Sequence, residues 1–247
     1  MILAVCAQTS LVAQEKAAST QQIRVSVPFV GCKSDGPSDP REAPKGTSAS
    51  VPITIKAAQM LAFYRSPEGL SVLAPRGWYC LGIYGSGGDA LLVSPQPIDE
   101  STIFSADRGG FRGPAIDISR RFGGTSGRFD VAKIIARVFP AYKLSAYNFL
   151  AGFDWAISSL VWGPYPTDGL TYKSNRVVEY KTPAQTDGLG TYNSTLKKNN
   201  NAIDGAAILV GPTPDLLLLS VRLPPELNGL ASVIIRQIER DAERDDK

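Results

Sequence analysis

Two stretches of this chain read as strand pairs, and they limit the fold more than anything else in it. WYCLGIY (78–84) and ALLV (90–93) flank Gly85-Ser86-Gly87-Gly88-Asp89, while AAILV (206–210) and LLLLSVRL (216–223) flank Pro212-Thr213-Pro214-Asp215. Runs rich in branched and aromatic residues on either side of a few turn formers give antiparallel hairpins. Pro75 and Gly77 suit the second and fourth positions of a turn leading into the first pair. Upstream, Ile23, Val25 and Val27 alternate with Arg24 and Ser26, the period of a half-buried strand.

Helical spacing occurs between these runs. Ala57, Met60, Leu61 and Tyr64 fall at i, i+3, i+4 and i+7 and predict a helix stopped by Pro67 and Gly69. Asp130 is placed to cap a helix whose apolar face is Val131, Ile134, Ile135 and Val138, with Phe129 stapling onto Ile134 and Pro140 ending it. Asn228 opens a last helix through SVIIRQIERDAE, and Lys33–Ser50 has the composition of a long surface loop. With no βαβ series, the expected class is α+β: an antiparallel sheet with helices packed on one face. The 247 residues, 43% hydrophobic and 20% charged, suffice for a single α+β domain over 14–247, or for two halves divided near 125.

Histidine is absent. Ser-His-Asp triads, Cys-His dyads and histidine-ligated zinc sites all need an imidazole, so none can be built from this chain alone. Three cysteines, at 6, 32 and 80, are too few for a four-thiolate cage. The expectation is no metal and no cofactor. A net charge of +3 is too small to imply nucleic acid, and no stretch has the ~18 uninterrupted apolar residues of a membrane span.

The first residues, MILAVCAQTSLVA, carry no charge and resemble the back end of a signal peptide over 1–13, shortened or started late. Export to the periplasm or beyond the cell follows. Removing the leader takes Cys6 away and leaves Cys32 and Cys80 as an even pair in an oxidising compartment, hence a disulfide; the alternative is two buried free thiols.

Four groups of residues are candidates for chemistry. Arg108, Arg112, Arg120, Arg121 and Arg128 lie among glycines and phenylalanines and could meet an anionic ligand or protein of the cell envelope, or form a solvated loop with Asp107, Asp117 and Asp130. Nine of the chain's 21 aromatic residues lie between Phe139 and Tyr172, together with Asp154 and Asp168; rings with a carboxylate pair suit glycan cleavage, and equally suit core packing. Ser194 and Lys197 match SxxK, where one helical turn would bring an amine beside a hydroxyl, but the companion motifs are missing. The Gly82–Gly88 cluster is followed by a strand and lacks a lysine, so it reads as a hairpin turn rather than a phosphate loop.

Cys32, Pro75, Gly77, Trp78, Cys80, Gly82 and Gly85 sit in two segments, VPFVGC and APRGWYCLGIYGSGGDALLVSP. Over Val25–Pro95 these resemble a set of exported proteins of Proteobacteria that share a GW-x-C strand and a glycine hairpin. The resemblance implies export and a shared fold, and carries no activity. The functional expectation is a periplasmic or secreted non-catalytic binding or accessory protein; the alternative is a metal-independent hydrolase of cell-wall glycan or peptide.

Overall fold

In the computed structural model, residues 24–98, 103 and 109–245 are described; the leader, Cys6, Ile23, Asp107 and Arg108 lie outside them. The first part of the chain forms β1 (Val25–Gly31), β2 (Ser34–Asp35), β3 (Ser48–Val51), α1 (Ile55–Met60), β4 (Leu61–Arg65), β5 (Ser71–Pro75), β6 (Tyr79–Gly85), β7 (Gly88–Ser94) and β8 (Ala115–Arg121). Then come α2 (Arg128–Val138), α3 (Lys143–Phe149), α4 (Asp154–Ser158), β9 (Gly169–Tyr172), β10 (Val177–Thr182), α5 (Leu189–Tyr192), β11 (Ile203–Val210), β12 (Asp215–Arg222) and α6 (Ala231–Asp245).

The strands form two mostly antiparallel sheets. One has the order β3-β1-β4-β5 and the other β2-β6-β7-β8-β12-β11-β10-β9. The larger sheet runs straight across position 125, because β8 pairs with β12 along its whole length, from Ala115↔Arg222 to Arg121↔Leu216. Its central strands are buried on both faces, which explains why Leu216–Leu219 are apolar in succession rather than alternating. On one face, Leu91, Ile116, Ile118, Leu219 and Val221 pack with the small sheet and with Ile234, Ile235 and Ile238 of α6. On the other, Leu92, Ala115, Leu216 and Leu218 meet Val131, Ile134, Ile135 and Val138 of α2. The protein is α+β, as expected, with the large sheet as the middle of three layers and helices on both of its faces, α6 on one and α2 on the other, rather than on one.

Both expected hairpins form. Gly85↔Gly88 closes β6 on β7 around Ser86 and Gly87, and Val210↔Asp215 closes β11 on β12. In the turn after β5, Gly77 is the third residue rather than the fourth, at φ +78°, a backbone that favours glycine. Tyr64 fixes that turn by donating to the Pro75 carbonyl at 2.8 Å and accepting the Trp78 N–H at 3.1 Å.

Several local expectations are corrected. The first helix stops at Met60 and Leu61–Arg65 is a strand, held parallel to β1 and antiparallel to β5. Two ladders of backbone hydrogen bonds and full burial of Leu61 and Tyr64 outweigh a helical stripe only four residues deep. Asp130 lies within the first turn of α2 and Gly127 precedes it as the cap; Phe129 stacks on Trp155 and meets Phe153 edge-on. The last helix starts at Ala231 after a 3-10 turn over Pro225–Leu230. Lys33–Ser50 is drawn in at both ends, by β2 alongside β6 and by β3 alongside β1. Cys32, just past β1, is bonded to Cys80 in β6, with α-carbons 5.5 Å apart, so the bridge joins the two sheets.

Candidate functional site

Within β8, Asp117, Ser119 and Arg121 alternate with Ile116, Ile118 and Arg120, so the two sets point to opposite faces. On the α2 side, Ser119 lies between Ala90 and Leu218 and Arg121 between Gly88 and Leu216. Small residues on β7 stand there, and at Gly88 the two strands approach closely. A Cβ at Gly88 would lie 2.0 Å from the Arg120 carbonyl oxygen, and its φ of +152° is one that side chains seldom adopt. A cleft of about 560 Å3 lies over this end of the sheet. Its floor is β7, β8 and β12. One wall is the Gly85–Gly88 hairpin with the start of α2, and the other is the segment Tyr192–Thr195 after α5.

The second wall is irregular chain, and buried polar side chains hold it. Asp117 accepts the backbone N–H of Thr195 at 2.7 Å and its hydroxyl at 2.9 Å. Burial pushes the Asp117 carboxyl above the ordinary aspartate range, and these two donors oppose the shift. Asp168 accepts the Leu189 N–H and the Thr182 hydroxyl, both at 2.7 Å, which anchors the start of α5. Ser194 donates to the Gly190 carbonyl at 2.6 Å and accepts the Leu196 N–H at 3.0 Å. Beneath, Arg222 is 1% exposed and donates to the carbonyls of Phe111, Gly113 and Lys197. Its pKa is lowered to about 10 by burial, so it remains charged at neutral pH.

The ion pairs of the cleft are local. Arg121 lies 3.7 Å from Asp130, which also meets Lys133 at 3.8 Å. On the opposite face of β7 and β8, Asp89, 4% exposed, takes Arg120 at 2.5 Å. Its carboxyl is raised by burial, and the Arg120 hydrogen bond opposes that. At the mouth, Tyr192 is 63% exposed and stacks on Tyr165 with ring centroids 5.5 Å apart.

Among the described residues, the arginine stretch does not make one surface. Arg120 and Arg121 share a strand end and point to opposite faces; Arg112 is exposed before the far end of β8; Arg128 opens α2 and lies over the rings of Phe129 and Phe153. The Ser194–Lys197 pair does not sit on a helical turn, because α5 ends at Tyr192 and Leu196 bridges to Phe111. Asp154 is exposed in the first turn of α4, whereas both oxygens of Asp168 are engaged with backbone and Thr182. Among the described residues, no three His, Cys, Asp or Glu are grouped to hold a metal ion, and no helix is long and apolar enough to cross a membrane.

Reading the sequence by motif missed Asp117, Ser119, Tyr192, Asn193 and Thr195. The available signal was AIDIS, two polar residues at period two inside a run that the core needs. Compared with protein-family models, curated proteins and solved structures, the chain matches none.

Proposed function

We propose that this chain is a periplasmic or secreted binding or accessory protein without catalysis, and that the cleft over β7, β8 and β12 takes a small polar ligand. The observation that carries this reading is the fixed wall. Tyr192–Thr195 is held by Asp117, and the short helix before it by Asp168, so a concave, mixed polar and apolar surface exists before any ligand arrives. The Ser194 hydroxyl and the Asp168 oxygens are engaged in that support, which favours binding over hydrolysis. The Cys32–Cys80 bridge and the likeness of Val25–Pro95 to exported proteobacterial proteins support an oxidising compartment.

Two measurements test it. The chain is isolated from its native host by fraction, and its N-terminus is sequenced; an intact Met1 in a cytosolic fraction would overturn export. The same preparation is incubated with peptidoglycan fragments, and mass spectrometry of the products should show no cleavage.

A further inference from the structure

Among the described residues, the charged side chains of the cleft stand beside an opposite charge or hydrogen-bond donors, and this bears on what can enter. Asp89 pairs with Arg120 on the opposite face of the sheet, and in the cleft Arg121 and Asp130 face each other with Lys133 beside them. The Asp117 carboxyl is met by the Thr195 N–H and hydroxyl. A charged guest would have to give up its hydration for side chains whose opposite charges already stand beside each other, and so gains little in return. A neutral guest incurs no such cost. The cleft also holds short neutral polar side chains, namely Ser119, Ser126, whose hydroxyl lies 3.3 Å from that of Ser86, and Asn193, whose Nδ2 donates to the Tyr165 hydroxyl at 3.3 Å, set among the apolar side chains of Ile83, Leu216 and Leu218. Tyr192, braced by Tyr165, adds an aromatic ring at the mouth.

We propose that the cleft binds a neutral, hydroxyl-rich ligand of saccharide type. Sugars present hydroxyls around their edges and C–H groups on their faces, matching interleaved hydroxyl, amide and apolar groups beside a tyrosine ring. The cleft lies within the volume range of small-molecule sites, so one or two sugar rings fit it. This assignment rests on the cleft being a binding site, as proposed above.

The test is a titration of the folded, disulfide-bonded protein, with maltose, cellobiose and diacetylchitobiose as neutral probes and spermidine and glutamate as charged ones. Binding is followed by amide chemical shifts and calorimetry. The expected result is saturable binding of at least one disaccharide, with shifts at Ser119, Ser126 and Tyr192–Thr195 and an affinity unchanged from low salt to about 0.5 M. Tyr192→Ala, at an exposed site, should weaken binding about fivefold or more, and Ser119→Phe should abolish it by filling the floor. If Ser119→Phe fails to fold, Tyr192→Ala alone decides. Salt-sensitive binding of spermidine or glutamate at the same residues, with no disaccharide bound, overturns the ligand class and leaves the binding reading standing. No shift with any probe overturns both, and disaccharide shifts confined to Trp155 or Trp162 overturn the cleft as the site.

Discussion

One oxygen of Asp117, Oδ2, accepts both the backbone N–H and the hydroxyl of Thr195, across 78 residues of chain. Because both bonds end on the same atom, the second oxygen is dispensable to them. Asp117→Asn can therefore keep the pair through its carbonyl oxygen, while shedding a carboxyl whose charge burial disfavours. Urea denaturation should show Asp117→Asn within about 1 kcal/mol of the parent and Asp117→Ala losing about 2 to 3 kcal/mol, with Thr195→Val between them. Equal losses for the Asn and Ala variants would show that the charge itself is needed.

Arg120 and Arg121 adjoin in sequence and should behave differently. Arg120→Ala strands the Asp89 carboxylate, 4% exposed, and should cost about 3 to 5 kcal/mol in chemical denaturation. Arg121 faces the partly exposed Asp130 at 3.7 Å, so Arg121→Ala should cost under about 1 kcal/mol.

Removing Arg222 should be severe although no carboxylate among the described residues meets it. The Phe111 carbonyl would keep its bond from the Lys197 N–H, but those of Gly113 and Lys197 would lose the guanidinium. Arg222→Met, similar in bulk, should still lose about 3 kcal/mol, because unmet buried acceptors carry their full desolvation cost. Hydrogen exchange should rise first in 111–113 and 194–198.

Stability should fall as pH rises toward neutrality because of Glu239. Its pKa is pushed up to about 7, chiefly by burial, then by Glu179, with Glu243 adding to the shift and Lys173 opposing it. An unfolded glutamate ionises near 4.5, so between about 4.5 and 7 the unfolded chain releases a proton that the folded chain retains. The folded state loses ground over that window and levels off above it. Glu239→Gln should thus raise Tm at pH 8 and leave it unchanged near pH 4, as read by scanning calorimetry.

Alkylation under denaturing conditions without reductant should leave Cys32 and Cys80 unmodified, leaving Cys6 as the sole site in the full chain. Closing a loop across 48 residues should contribute about 4 kcal/mol, so Cys80→Ser should unfold at markedly lower urea and expose a reactive Cys32.

What could be read from sequence was what is settled locally. The β6–β7 and β11–β12 hairpins and α2 are specified by turns and spacing within about 20 residues. Leu61–Arg65 was misjudged because its strand character comes from partners at Phe29–Gly31 and Ser71–Pro75, which no window around it contains. The cleft was hidden for a related reason. Asp117 and Ser119 suggest a solvated strand face until Thr195 and α2 are known to cover it, and adjacent Arg120 and Arg121 look like one patch until strand alternation separates them.

The order of strands in the large sheet also has a temporal side. β8 has β7 on one edge as soon as it is made, but its other edge waits for β12, about a hundred residues later. Until then the nascent chain carries a strand with an open row of donors and acceptors, a template for any passing strand. Such long-range closure makes folding slow and favours aggregation during synthesis. A ribosome stalled before Asp215 would therefore release a product that holds both early hairpin strands and still cannot finish its sheet, and a holdase chaperone that shields β8 would matter more to yield than any single contact in the finished protein.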